Sequence, residues 1–340
     1  MRSKKILVAS LAAIGLAVSG ATATMGANLP KVPMAKSLGK GEGSLNIIVW
    51  AGYAENGSND KTVDWVNPFT KATGCKVNAK TAGTSDEMVS LMKTGGYDGV
   101  SASGDASLRL IYGGQVAPVN TALVPNYANI SSFLKNQNWN SVNGVMYGIP
   151  HGWGANVLAY NSAKVKKPTS WSAVFDPKSP YAGKITAYDS PIYIADAAMY
   201  LMAKQPSLGI KNPYALDQKQ LDAAVALLKG QKKIIGEYWS DYTKSVQSFE
   251  SGNTLLGSSW QVIANIINGD KKVKVESTVP AEGATGWSDT WMISSKAKHP
   301  NCMYQWMNWI TSPSVNAQVA EYFGEAPSNQ AACEIGRAHV

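Results

Sequence analysis

The stretch Tyr147-Gly148-Ile149-Pro150-His151-Gly152-Trp153-Gly154-Ala155-Asn156-Val157-Leu158-Ala159-Tyr160-Asn161 sets three glycines among alternating apolar residues. Alternation at period two is a strand signal, and glycine admits unusual backbone angles. The stretch is read as one long bent strand passing from one body of the protein to another, a hinge crossing. A second stretch, Gly286-Trp287-Ser288-Asp289-Thr290-Trp291-Met292-Ile293, places Trp287, Asp289 and Trp291 on one face if extended and serves as the return. Two crossings divide the chain into two lobes, residues 45–153 with 285–312 and residues 154–284 with 313–333.

Outward from the crossings, each lobe reads as alternating strands and helices. Leu45 to Trp50, Cys75 to Ala79 and Tyr97 to Ser101 are strands of the first lobe. Between them lie a helix from Val63 to Ala72 and another through Met92, with Ser85 as its N-cap. The second lobe has strands at Lys184 to Tyr188 and Leu255 to Trp260, with helices at 195–204 and 219–228. Such alternation predicts an α/β fold with parallel sheets covered by helices. In these sheets ligands gather at the carboxyl ends of strands. Three loops qualify: Trp50 with Tyr53, Ser101 to Asp105, and Tyr188-Asp189.

Met1 to Ala23 has a basic start at Arg2, Lys4 and Lys5, an uncharged apolar run from Ile6 to Val18, and Ala21-Thr22-Ala23 as a cleavage site. A cleaved export signal and a periplasmic destination are expected. The apolar run falls short of the roughly 20 residues that a membrane-spanning helix needs. Residues 24–44, rich in Gly, Lys and Pro without periodicity, are expected to form a flexible leader. The formal charge of +8 includes the three basic residues of the signal, so the remainder carries 28 basic against 23 acidic residues, or +5. Those bases are dispersed in pairs rather than clustered, which argues against a nucleic-acid partner. Eleven Trp and fifteen Tyr against five Phe favour rings that combine an apolar face with a polar handle.

Cys75, Cys302 and Cys333 make an odd count for an exported chain, and none has metal-ligand or CxxC spacing. Residues 334–340 look like the translation of a sequencing-adapter oligonucleotide and are expected to be a non-native tail. Cys333 has then lost a downstream partner, and Cys75 bonds Cys302. The helix bearing Cys302 reaches Cys75 only if the chain returns to the first lobe.

The order of these motifs resembles the bacterial extracellular solute-binding proteins of ABC importers, specifically those similar to spermidine/putrescine-binding proteins. The pieces are Trp50, the Tyr97-Asp98 strand leading to Ser103, the Tyr147 crossing with Trp153-Gly154, Tyr188-Asp189, Trp260, Trp287-Ser288-Asp289 and Gly324-Glu325-Ala326-Pro327-Ser328-Asn329. The resemblance implies a two-lobed periplasmic-binding-protein fold of type II, closing on a ligand in the cleft and delivering it to permease subunits in the inner membrane. It also implies that Asp289 pairs an ammonium, Trp50, Trp260 and Trp287 wall it, Ser103 gives a polar contact, and Asp189 is a second-lobe carboxylate. Asp105 and Glu325 stand where the family has tyrosines and join the expected site, Ala51 replaces a hydroxyl, and Ile192 replaces a second-lobe acid. An ammonium enclosed by rings gains about 0.5 to 2 kcal/mol per contact, and a carboxylate offsets its desolvation. The expected ligand is a polyamine such as putrescine or spermidine, with an amino-acid-like zwitterion, an anion or ferric ion as the alternative. A monomer without cofactor and without enzymatic activity is expected, because no His pair, Gly-x-Ser-x-Gly elbow or phosphate loop occurs.

Overall fold

Leu45, Ile47, Ile48 and Val49 are buried almost completely, the condition of a strand covered on both faces. They form β1 (Ser44–Val49), which pairs in parallel with β2 (Lys76–Thr81) and β3 (Gly99–Ala102). The computed structural model describes residues 29–337, so the expected signal at 1–23 and residues 338–340 of the expected tail lie outside the described residues. After a two-stranded hairpin of β4 (Ser141–Val142) and β5 (Val145–Met146) comes the first crossing. It is two strands rather than one, β6 (Ile149–Ala155) and β7 (Val157–Asn161), separated by Asn156.

The second lobe adds β8 (Ile185–Tyr188), β9 (Ile235–Trp239), β10 (Leu256–Ser259) and β11 (Val275–Thr278). The chain returns through β12 (Gly286–Ile293) and ends near β13 (Ala326–Pro327). The first sheet has the order β13-β6-β12-β3-β1-β2 and the second β11-β7-β10-β8-β9. In each lobe a parallel set carries the loops and antiparallel crossing strands complete the sheet. The expected two-lobed α/β architecture is present.

Four local expectations change. The glycines of the first crossing do not take the unusual backbone angles open to them: Gly148, Gly152 and Gly154 are absent from the positive-φ residues. They make room. A Cβ on Gly152 would lie 2.4 Å from the Glu325 carboxyl, and one on Gly154 would lie 2.5 Å from the Trp287 ring. Residues 313–333, expected with the second lobe, touch both. β13 pairs with β6 in the first sheet, and the helix Pro313–Phe323 packs against helices of both lobes. Pattern reading could not assign this segment, since a two-residue strand has no periodicity.

The leader, in its described part, is a strap on the first lobe: Leu29, Val32 and Ala35 pack against the core. Glu42 accepts the backbone N–H groups of Asn301 and Cys302, at 3.0 and 2.9 Å. An acid there satisfies orphan donors at the positive end of the helix Pro300–Ile310. Finally, Thr84 rather than Ser85 caps the helix Ser85–Lys93, accepting from the Glu87 N–H at 3.1 Å. Ser85 turns its hydroxyl to Asp105 instead. The expected bridge between Cys75 and Cys302 is formed, and Cys333 is free and exposed.

Candidate functional site

The carboxyl ends of β1, β3, β8, β9 and β10 face one another across the gap between the lobes. Trp50 follows β1, Ser103 follows β3, Tyr188 and Trp239 end β8 and β9, and Trp260 follows β10. The rings meet across the gap: Trp50 lies edge-on to Trp260 with centroids 5.9 Å apart. Trp260 in turn contacts Tyr188 at 5.1 Å and Trp239 at 4.9 Å. On the return crossing Trp287 packs edge-on to Phe323 at 5.9 Å. A cavity of about 520 Å³ opens between the lobes, bounded by Trp50, Trp260, Tyr242 and Phe323 and by the carboxylates Glu87 and Asp241. Of the eight expected ligand residues only Trp50 and Trp260 line it.

Behind the rings lies a buried polar network. Ser103 Oγ donates to Asp289 Oδ1, and the Tyr53 hydroxyl stands 2.7 Å from Asp289 Oδ2 and 3.0 Å from Glu325 Oε2. One phenolic proton cannot serve two carboxylates. Glu325 therefore carries its own proton and donates to Tyr53, which donates to Asp289. Burial, reinforced by the charge on Asp289, holds the Glu325 carboxyl well above its usual range. A β-bulge between β6 and β12 turns His151 inward, where its ring lies 4.1 Å from that of Tyr53. The Trp291 indole can only donate, and it does so to His151 Nδ1 at 2.9 Å. The imidazole proton is thereby assigned to Nε2, which faces Glu325 Oε1 at 3.2 Å in an approach too oblique for a formed hydrogen bond. Burial lowers the His151 pKa to about 3, so the ring is neutral.

Asp289 is the charged member of the set. Burial pushes its pKa up to about 6 against the opposing bonds from Ser103 and Tyr53. Among the described residues no Lys or Arg pairs with it, and the only charge acting on it is another acid, Asp105. Asp105 is raised by burial too and accepts from Ser85 Oγ at 3.0 Å.

Asp289, Glu325 and Ser103 are thus brought together, and Asp105 is near enough for its charge to act on Asp289. Asp189 is not part of this set: it is exposed, its backbone N–H is used on the Trp239 carbonyl, and its charge acts on Tyr238. β8 is buried along its whole length, and Asp189 lies just beyond its end, where the chain emerges to solvent. Tyr53 belongs at the centre of the network although sequence placed it only in the first loop. Its spacing of three from Trp50, at a strand end, was the available signal. Phe323, Glu87, Asp241 and Tyr242 had none. Among the described residues no group of three or more His, Cys, Asp or Glu is placed to hold a metal ion.

The network makes stability pH-dependent. At pH 5 Asp289, Glu325 and Asp196, whose pKa burial raises to about 7, hold protons in the folded chain that the unfolded chain has largely released, and Asp289 becomes the anion as pH passes about 6. His151 acts oppositely, since the unfolded imidazole binds a proton that the folded one does not. Three carboxyls outweigh one imidazole, so unfolding free energy falls as pH rises from 5 to 7. The expected loss is at least about 2 kcal/mol in ligand-free protein, read by urea unfolding. A rise over that interval would contradict the assignment of protons.

Residues 64–335 match the family described as bacterial extracellular solute-binding protein. The spermidine/putrescine-binding periplasmic protein of Escherichia coli is 26% identical over 306 residues, covering 86% of this chain and 84% of its own. A putrescine/cadaverine-binding protein of Pseudomonas aeruginosa is 21% identical over 295 residues, covering 82% and 80%. Among solved structures, the spermidine/putrescine ABC transporter substrate-binding protein of Streptococcus pneumoniae superposes with a TM-score of 0.66 at 21% identity, covering 86% of this chain and 85% of that one.

Proposed function

The chain belongs to the bacterial extracellular solute-binding proteins, and from that premise we propose that it is the periplasmic solute-binding component of an ABC importer, capturing a cationic amine of the polyamine class. One observation carries the ligand reading. Asp289 is a buried carboxylate without a cationic partner among the described residues, set behind aromatic rings contributed by both lobes. A carboxylate so placed is costly until a cation arrives, and an ammonium is a cation that the rings also attract. Putrescine or spermidine supplies such a group on a chain whose methylenes suit the indole faces. Closure of the lobes about the two crossings then presents one fixed surface to the permease in the inner membrane, with the protein acting as a monomer exported by its signal.

A second reading draws on the indole N–H groups of Trp50 and Trp287, both buried without a partner. An indole nitrogen only donates, and an amine that is fully protonated offers it nothing. An amino-acid-like zwitterion would bring an ammonium for Asp289 and a carboxylate for an indole.

A thermal-shift panel on protein without its signal separates the two, using putrescine, spermidine, amino acids, phosphate and ferric ion at saturation. Ligand at 100 times its dissociation constant adds about 2.7 kcal/mol, enough for several degrees. Shifts confined to the amines are the expected result. A shift from amino acids alone would favour the second reading, and one from phosphate or iron alone would overturn both.

A further inference from the structure

We propose that Tyr214 is a closure latch, a positioning residue that touches no ligand and sets how long the lobes stay shut. The proposal rests on the hinge-closing reading above but not on which ligand is bound. Its basis is where the return crossing changes lobes. Up to Thr285 the chain is tied to the second lobe. The Ala281 N–H donates to the Thr169 carbonyl at 2.9 Å, the Trp171 indole to the Gly283 carbonyl at 2.8 Å, and Thr285 Oγ1 to Asp196 Oδ1 at 2.7 Å. The next residue, Gly286, opens β12 and pairs with Ala155 of β6 in the first sheet. The change of lobe falls on one peptide link.

The first crossing is pinned beside it. The Asn156 N–H donates to the Thr285 carbonyl at 2.9 Å, and Asn156 Nδ2 donates to Thr285 Oγ1 at 2.7 Å. Both crossings therefore turn about a single pivot.

Tyr214 reaches over that pivot from the second lobe. Its loop runs from the turn Pro206–Leu208 to the helix Gln218–Gln231, and its own N–H donates to Asn212 Oδ1 at 2.9 Å, which holds it in a local turn. Its hydroxyl donates to the Gly286 carbonyl at 2.6 Å and accepts from the Gly286 N–H at 2.9 Å. The donor and an acceptor site of one hydroxyl are thus both spent on one residue across the lobe boundary. Two bonds from one oxygen to one residue hold at a single setting of that residue, so they report the angle between the lobes. Here that setting accompanies contact across the cleft, with Trp50 against Trp260 and the Tyr188 hydroxyl 3.4 Å from the Gly83 carbonyl. Tyr214 as a residue is 50% exposed, so packing alone does not explain its position.

Tyr214→Phe deletes both bonds and keeps the ring. With spermidine and putrescine as probes in stopped-flow tryptophan fluorescence, dissociation should quicken about ten-fold, the loss of two hydrogen bonds of ordinary net strength, with association within two-fold. The loss should be equal for the two amines, and the melting temperature of ligand-free protein should stay within about 2 °C. Unchanged dissociation would overturn the latch, as would a loss that differs between the amines, which would make Tyr214 a ligand contact. If the unmodified protein binds neither amine, the ligand reading fails and X-ray scattering of ligand-free protein decides. A larger radius of gyration for Tyr214→Phe supports the latch and identical profiles overturn it.

Discussion

Asp289→Asn is expected to weaken amine binding by about 30-fold or more, because removing one partner of a buried, hydrogen-bonded charge pair costs roughly 2–5 kcal/mol. The replacement keeps the fold. An amide oxygen still accepts from Ser103, and the amide nitrogen can donate to the Tyr53 oxygen while the phenol turns its proton toward Glu325. Ligand-free stability should move the other way. At pH 8 the native carboxylate is ionised although burial has raised its pKa to about 6, so the amide relieves up to about 2–3 kcal/mol of that cost. Loss of binding together with a gain of stability is the mark of a site whose charge is uncompensated until ligand arrives. Calorimetric titration and urea unfolding of the same variant read both halves. An unchanged dissociation constant would place the ammonium elsewhere in the cleft.

Replacing Cys75 and Cys302 together by Ser is expected to lower the melting temperature by about 10 °C. The bond spans 227 positions, and closing so long a loop removes enough unfolded-state entropy to stabilise by roughly 3–5 kcal/mol. It ties the residue before β2 to the first turn of the helix Pro300–Ile310, so it holds the returning chain on the first lobe. Gly41 of the strap lies over it so closely that a Cβ there would sit 2.6 Å from Cys75 Sγ. Amine affinity should stay within about three-fold, since the bond does not contact the cleft. A melting temperature unchanged by the double replacement would mean that the helix is held by its apolar face and by Glu42 alone.

The two lobes, the crossings and the alternation of strands and helices were legible because they rest on short-range periodicity. The return crossing is read at its own boundaries, Gly286 to Ile293, since aromatic alternation is unambiguous there. The first crossing was legible in place but not in cause. Its glycines signalled flexibility, whereas Gly152 and Gly154 are small because Glu325 and Trp287 press on them from residues far along the chain. The strap was missed for a related reason: Leu29, Val32 and Ala35 recur every three residues, which is neither the alternation of a strand nor the repeat of an α-helix, and only a surface already folded gives them something to pack on.

The site divides along the same line. Sequence alone determined that Trp50, Ser103, Trp260 and Asp289 sit at strand ends or on a crossing strand, because strand periodicity and loop position are local properties. It could not determine which way Asp189 faces, that Tyr53 joins Asp289 to Glu325, or that Glu325 holds a proton. Those follow only when two carboxyls lying 236 and 272 positions beyond Tyr53 share its phenol and water is excluded from them. Charge in this network is thus a tertiary property: the chain supplies the carboxyl groups, but burial and the phenol they share decide which of them is an anion.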